Sequence, residues 1–225
     1  MRVIVNAAIC SETSWYIKGQ DRLRQSLLDV GETAFLAFTQ YEELILHSVY
    51  EDKILAIKNA VLAGAKRLIW LDCSITAVKS LEPIWEYIEK HGYYLYESGS
   101  RCDITCNDHS LKCYGVTRDT AKLFYECASN VVGINLDNYI GKRFYELWIQ
   151  SLEDGSNLGL KWPNESQRLQ ESKDERFKYH RQDQSTASLS AGVLGLKLEK
   201  EGEWVSRYEN ENKKETTILI LKGGE

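Results

Sequence analysis

An apolar run ends in an acidic residue in the segment LIWLDCS, which covers residues 68–74. An aspartate at the carboxyl end of a buried strand could bind a hydroxyl group or a divalent cation, since hard cations prefer carboxylate oxygens. Asp72 could also serve only to cap the next turn. The segment by itself leaves both interpretations open.

A second polar group opens the segment HRQDQSTASLSAGVLGL, residues 180–196. The carboxylate of Asp183 could orient a reacting hydroxyl or act as its base, and the amide of Gln184 could bind further hydroxyl groups. Asp183 could instead be the N-cap of the helix predicted here. A capping aspartate followed directly by glutamine, three residues after His180, is more specific than capping alone and favours a functional role.

Alternating strands and helices must position these residues. Apolar runs predict strands at 2–8, 34–38, 67–71 and 93–96, and helical spacing predicts helices at 16–30, 52–65 and 80–91. This order is typical of the α/β class with right-handed crossovers and a mainly parallel sheet. Because ligands bind outside the carboxyl ends of such strands, the candidate positions are 7–11, 39–40, 72–74 and 97–99.

The second half of the chain is less regular. Its patterns predict helices at 119–127, 140–152 and 183–194, strands at 131–134 and 216–221, and a polar loop at 155–176. No linker divides the chain, which predicts a single domain over residues 1–225. Residues 199–225 could form a C-terminal extension or a linker, because much of this stretch is highly charged.

The segment LIWLDCSITAVKSLEPIWEYI resembles the strand, Asp-x-Asp motif and following helix of GT-A glycosyltransferases. Asp72 matches the first aspartate, Cys73 the middle position, and Ser74 stands where the second aspartate would be. The resemblance implies a Rossmann-like GT-A fold and a motif that binds the donor's ribose and a divalent cation, Mn²⁺ or Mg²⁺. Serine is a poor ligand for a hard cation, so either the metal is dispensable or another carboxylate supplies the ligand.

Residues 180–185 resemble the His-x-x-Asp-Gln-Ser segment of bacterial and viral GT-A-like proteins. There the Asp-Gln pair opens a helix beside the donor sugar and the acceptor. The resemblance therefore implies catalytic roles for Asp183 and Gln184, and it makes His180 a candidate metal ligand.

Two helix segments resemble further parts of the donor site. YEDKILAIKNA matches a Tyr-x-x-Lys-x-x-Ala pattern, which places Lys53 near the donor phosphates as a point charge. A Tyr-x-x-Gly-x-x-Arg pattern around Gly19 implies that Arg22 reaches the nucleotide. Either residue could instead be a solvated charge on an amphipathic helix. Ala7 and Ala8, at the end of the first strand, complete the predicted donor site.

The acceptor side is predicted from a weaker resemblance. Similar proteins carry an Asn-Asp pair before a Gly-Ile/Val-x-Arg-Asp run, and here Asn107 and Asp108 precede residues 115–119. This implies that Asp108, or Glu97 at the end of the fourth strand, lines the acceptor site. Asn-Asp is also an ordinary turn dipeptide.

The predicted function is sugar transfer from a nucleotide-diphosphate sugar, with UDP favoured, to a glycan or another hydroxyl acceptor. The alternative is a non-catalytic carbohydrate- or nucleotide-binding module of the same fold, with stacking surfaces from six tryptophans and thirteen tyrosines. The chain contains no G-x-G-x-x-G, no P-loop and no G-x-S-x-G elbow, which argues against dehydrogenases, NTPases and serine hydrolases.

Charge and cysteine content restrict the partners and the setting. A net charge of −5 argues against a general nucleic-acid-binding surface. The sequence shows no signal peptide and no transmembrane segment, so six free thiols and a cytoplasmic location are expected. Four side chains leave a zinc site open as an alternative to partly buried thiols and a loop histidine: Cys102, Cys106, His109 and Cys113.

Overall fold

A computed structural model of the chain describes residues 1–8, 15–39, 50–160, 164–207 and 214–222. The first half contains the strands and helices in the predicted order, together with a short strand at residues 75–77 that was not predicted. Its elements are β1 (Arg2–Ala7), α1 (Trp15–Asp29), β2 (Phe35–Phe38), α2 (Glu51–Leu62), β3 (Arg67–Leu71), β4 (Ile75–Ala77), α3 (Glu82–His91) and β5 (Tyr93–Tyr94).

The second half is built from shorter elements. They are β6 (Glu97–Arg101), α4 (Cys102–Thr105), α5 (Asp108–Cys113), α6 (Arg118–Ala121), β7 (Tyr125–Cys127), β8 (Val131–Asn135), α7 (Tyr139–Gln150), α8 (Glu165–Glu171), α9 (Gln182–Val193), β9 (Val205–Arg207) and β10 (Leu219–Leu221). The prediction of a helix over 119–127 was wrong in its second half, because residues 125–127 pair with β6. The predicted loop at 155–176 contains α8, which begins with a capping box at Asn164.

The main sheet is mixed, and its strand order is β2-β1-β3-β8-β5. β1 pairs in parallel with β2 and β3, whereas β8 is antiparallel to both β3 and β5. Four of the five strands therefore run in one direction, which confirms the predicted mainly parallel sheet. The reversed β8 brings the residues that precede it to the edge where β1 and β3 end.

Two hydrophobic clusters cover the two faces of this sheet. Alternate residues of β3 belong to opposite clusters, Leu68 and Trp70 to one and Ile69 and Leu71 to the other, as expected for a strand buried on both sides. Helices α2, α7 and α9 pack on the Leu68 face, and α1 and α3 pack on the Ile69 face. The central strands are therefore enclosed between two helical layers.

The C-terminal residues that the structure describes pack onto the same core. β10 pairs with β4 and β9 in a small three-stranded sheet, and Val205, Ile218 and Leu219 are buried against α1 and α3 residues. The extent of the domain stays a prediction. No helix in the described part of the chain is long and apolar enough to cross a membrane.

Close packing of α1 positions the loop after β3. A Cβ built on Gly19 would lie 2.5 Å from the carbonyl oxygen of Cys73, so only glycine allows this approach. Helix α1, which carries Arg22, therefore packs directly against the motif that contains Asp72.

Candidate active site

Lys53, in the first turn of α2, joins two carboxylates that are far apart in sequence. Its Nζ lies 2.6 Å from Asp183 Oδ2 and 3.2 Å from Asp72 Oδ1. It also donates to the carbonyl oxygen of Ser129 at 2.8 Å and lies 2.9 Å from the Ser129 hydroxyl. The ammonium stands 5.5 Å from the ring centroid of Trp70. We call Lys53, Asp72, Asp183 and Ser129 the Lys53 cluster.

The ammonium is buried, since only 7% of Lys53 is exposed. Burial by itself lowers the pKa of this lysine, but Asp183 and Asp72 outweigh it and raise the pKa above its usual value. The lysine is therefore fully protonated at neutral pH. The alternative prediction of a solvated lysine on an amphipathic face was wrong.

Asp183 opens α9 without capping it. The N-cap position is Arg181, and the Asp183 carboxylate points instead to Lys53 and to the hydroxyl of Ser129, which donates to Oδ2 at 2.8 Å. Its position in the first helical turn places the negative charge near the positive end of the helix dipole. The indole of Trp148 donates to the Asp183 carbonyl oxygen at 3.0 Å and fixes the start of the helix.

Asp72 lies directly after β3 and is one-third exposed at its side chain. The Trp70 indole donates to Asp72 Oδ1 at 2.5 Å, and the backbone N–H of Asp72 donates to the carbonyl oxygen of Asn130 at 2.9 Å. The turn after it closes through a backbone bond from Ile75 to the Asp72 carbonyl. Its side chain therefore faces the cluster at the edge of the sheet.

Gln184 is the neighbour of Asp183 that also reaches Ser129. Its Oε1 accepts from the Ser129 backbone N–H at 3.4 Å. Its Nε2 is buried and has no hydrogen-bond partner within the described part of the chain. A buried unpaired donor carries a cost of about 1–3 kcal/mol, which a bound ligand with an acceptor oxygen would relieve.

Two members of this region were missed in the sequence. Ser129 precedes β8 and holds both Lys53 and Asp183, but its role depends on β8 running antiparallel between β3 and β5. Asp52 is half-buried beside the cluster. Burial raises its pKa, Lys53 lowers it, and Asp183 and Asp72 raise it, with a result of about 6. The sequence feature that could have indicated Asp52 is the acidic pair Glu51 and Asp52 at the start of α2.

The remaining predicted donor residues lie at the ends of β1 and β3. Cys73 Sγ lies 3.4 Å from the carbonyl oxygen of Ala7, and the backbone N–H of Ala8 donates to Phe38. Arg22 Nη2 donates to the Cys73 carbonyl at 3.2 Å. The carbonyl of Ser74 accepts from the backbone of Lys222. Positions 9–11 and 40 lie outside the described residues.

The other predicted site residues lie elsewhere. Asp108 forms an ion pair of 2.5 Å with Arg118. Glu97 lines a separate cavity of about 740 Å³, and none of the Lys53 cluster borders that cavity. The buried imidazole of His180 accepts from the backbone N–H of Asn107 at 3.4 Å.

The described residues do not fit a divalent cation. They contain no group of three or more His, Cys, Asp or Glu side chains that could hold a metal. Asp72 and Asp183 already share the Lys53 ammonium, and His180 bonds elsewhere. Among the described residues, the four zinc candidates likewise form no such group. None of the five described cysteines forms a disulfide, and Cys10 lies outside the described residues.

His180 makes the stability of the fold depend on pH. Burial lowers its pKa from 6.5 to about 4, although the backbone carbonyls of Ser156 and Thr105 oppose this. The unfolded chain therefore binds more protons between pH 6.5 and pH 4, and we expect about 2–3 kcal/mol less stability at pH 4.5 than at pH 7.5 from this residue. Urea unfolding of wild type and His180→Gln at both pH values measures the difference.

The exposed histidine gives the control for this experiment. His109→Gln should keep the full loss of stability that wild type shows on acidification, because His109 is exposed. An equal pH dependence in wild type and His180→Gln would show that the buried imidazole does not contribute.

The chain has the GT-A fold, a mixed sheet flanked by helices. The structure of mouse xyloside xylosyltransferase 1, apo form, matches with a TM-score of 0.55 and 10% identity, over 99% of this chain and 98% of that chain. At this identity the likeness shows the fold.

Two other solved structures match at lower TM-scores. The galactosyltransferase LgtC in complex with donor and acceptor sugar analogs has a TM-score of 0.49 and 11% identity, over 99% of this chain and 87% of that chain. A glycosyltransferase involved in the glycosylation of the major capsid of PBCV-1 has a TM-score of 0.47 and 12% identity, over 98% and 92%. No protein-family model and no curated protein matches the chain.

Proposed function

We propose that this protein is a glycosyltransferase that transfers a sugar from a nucleotide-diphosphate sugar, with UDP as the favoured nucleotide, to a hydroxyl acceptor. The observation that carries the proposal is the Lys53 cluster, which joins Asp72 after β3 to Asp183 at the start of α9. Such a buried, charged group at the carboxyl edge of an α/β sheet is where ligands bind in these folds, and the GT-A fold is shared with the mouse xylosyltransferase.

Each side chain has a role in this proposal. Asp72, one-third exposed, accepts hydrogen bonds from the donor's ribose. Gln184 uses its unpaired Nε2 to bind a sugar hydroxyl, and this donor is buried beside Ser129. Asp183 orients the acceptor hydroxyl, or takes its proton if the reaction inverts configuration. Lys53 holds both carboxylates in place through charge-assisted hydrogen bonds.

Mn²⁺ or Mg²⁺ is the cofactor expected from the resemblance, but the described donor set does not fit it, so the proposed roles are assigned to side chains alone. Glu97 and Asp108 stay predictions for the acceptor side, as does the cytoplasmic location. A glycan or a smaller hydroxyl compound is the proposed acceptor.

Thermal unfolding with UDP-, GDP-, dTDP- and CMP-sugars tests the proposal. A ligand at a hundred times its Kd stabilises the folded state by about 2.7 kcal/mol, so one nucleotide series should raise the Tm clearly. Release of free nucleoside diphosphate on adding acceptors then separates an enzyme from a binding module. No shift with any nucleotide sugar would contradict the proposal.

Asp72 gives the sharpest test of the donor site. Asp72→Ala removes the exposed carboxylate after β3 while Lys53 keeps Asp183 as a partner, so the fold should survive. We expect the Kd for the nucleotide to rise about tenfold or more, which corresponds to about 1.4 kcal/mol. Calorimetric titration measures it, with the exposed Asp21→Ala on α1 as the matched control. Equal affinities in both variants would remove Asp72 from the donor site.

A further inference from the structure

Lys53 places its positive charge between the carboxylates of Asp72 and Asp183, where the two negative charges require a counter-ion. Its ammonium lies within 3.2 Å of both Asp72 and Asp183 and is 7% exposed. A divalent ion bound to the same carboxylates would have to lie beside this buried positive charge. Like charges at such distances repel strongly where water is excluded. Lysine and metal therefore exclude each other at this place.

The ammonium is also fully coordinated. Its acceptors are the two carboxylates and the carbonyl and hydroxyl oxygens of Ser129. The Ser129 hydroxyl in turn donates to Asp183. Trp70 encloses the same charge, because its indole donates to Asp72 and its ring faces the ammonium. These contacts fix the position of the Lys53 ammonium between the two carboxylates.

A second cation lies at the same edge of the sheet. Arg22 donates through Nη2 to the carbonyl oxygen of Cys73, the residue after Asp72. Its Nε is buried without a hydrogen-bond partner among the described residues. A guanidinium with an unused donor suits a phosphate oxygen, because it offers several N–H groups in fixed directions. Ser74, at the second position of the motif, adds no carboxylate that would compete for it.

We propose that the donor site works without a divalent cation, with Lys53 in the place of the metal and Arg22 as the cation that meets the diphosphate. This inference rests on the proposed function for its ligand, although the metal part can be tested alone. It predicts that the affinity for a nucleoside diphosphate stays nearly the same when divalent cations are removed by a chelator. It also predicts that removing the lysine creates a metal site from the two carboxylates that it leaves.

The first arm of the test uses Mn²⁺ alone and the full chain. With protein and Mn²⁺ each at about 0.1 mM, wild type should bind about a tenth of the metal or less. The electron paramagnetic resonance signal of free Mn²⁺ measures the unbound fraction. Lys53→Met should bind Mn²⁺ about tenfold more tightly, and the double variant Lys53→Met/Asp183→Asn should lose that gain. If wild type bound one equivalent of Mn²⁺ and Asp72→Asn abolished this binding, the proposal would be overturned. This outcome can be measured even if Lys53→Met does not fold.

The second arm titrates UDP into wild type in EDTA and in Mn²⁺. A Kd that differs by less than about tenfold supports the proposal, and a larger dependence on Mn²⁺ overturns it. Arg22→Gln should weaken UDP in both buffers equally. If no nucleotide binds in either buffer, the proposed function fails, while the Mn²⁺ arm still decides whether Lys53 stands in place of a metal.

Discussion

Asp183→Asn is expected to lower kcat by about a hundredfold or more, the usual contribution of a positioned acid–base group, and to change nucleotide affinity little. Asparagine has nearly the same shape as aspartate but lacks the negative charge and cannot take a proton. Lys53 would keep Asp72 and Ser129 as partners, so the fold should remain. Single-turnover measurements with saturating donor and acceptor separate the chemical step from binding.

The control for this variant is an exposed aspartate. Asp137→Asn changes a carboxylate after β8 that is 53% exposed and lies 3.6 Å from Arg67, and kcat should be unchanged. Full activity in Asp183→Asn would mean that the Asp183 carboxylate only anchors Lys53 and the start of α9. Loss of nucleotide binding together with kcat would instead place Asp183 on the donor side.

Lys53→Met is expected to have the largest effect on stability. Among the described residues, Lys53 is the one ionic partner of Asp183, whose carboxylate is 5% exposed. Breaking a buried ion pair costs about 3–5 kcal/mol, because the remaining charge is uncompensated. Methionine keeps the length of the aliphatic stem, so packing against Trp70 changes little. Urea unfolding at neutral pH gives the free-energy difference, and Lys58→Met on the same helix is the matched control.

A double variant separates charge from packing. Lys53→Met/Asp183→Asn removes both charges, and we expect it to be more stable than Lys53→Met alone, because neutral replacement of both partners avoids the buried charge. If the double variant were as unstable as the sum of the two single variants, the two side chains would not be coupled. The contact at 2.6 Å would then contribute little to folding.

The sequence by itself determined the alternation of the main strands and helices in the first half of the chain and the α/β class of the fold. Apolar runs at β1, β2 and β3, separated by helical spacing, predicted a mainly parallel sheet, because periodicity and length are local properties of the chain. The same patterns predicted α9 close to its observed start. Asp72 could be chosen because it ends a buried strand, and that edge of a sheet is accessible to ligands.

Only the tertiary structure decided which polar residues meet. Lys53 has the same local pattern whether it is exposed or buried, and it is buried because Ser129 and Asp183 arrive from distant elements. Asp108 was chosen as part of an Asn-Asp pair, and its ion pair with Arg118 is a contact that this local pattern does not predict. Pairing between strands and between charges depends on contacts across the whole chain, which no short window contains. The insertion of β8 between β3 and β5 is the clearest case, since it brings Ser129 to the cluster.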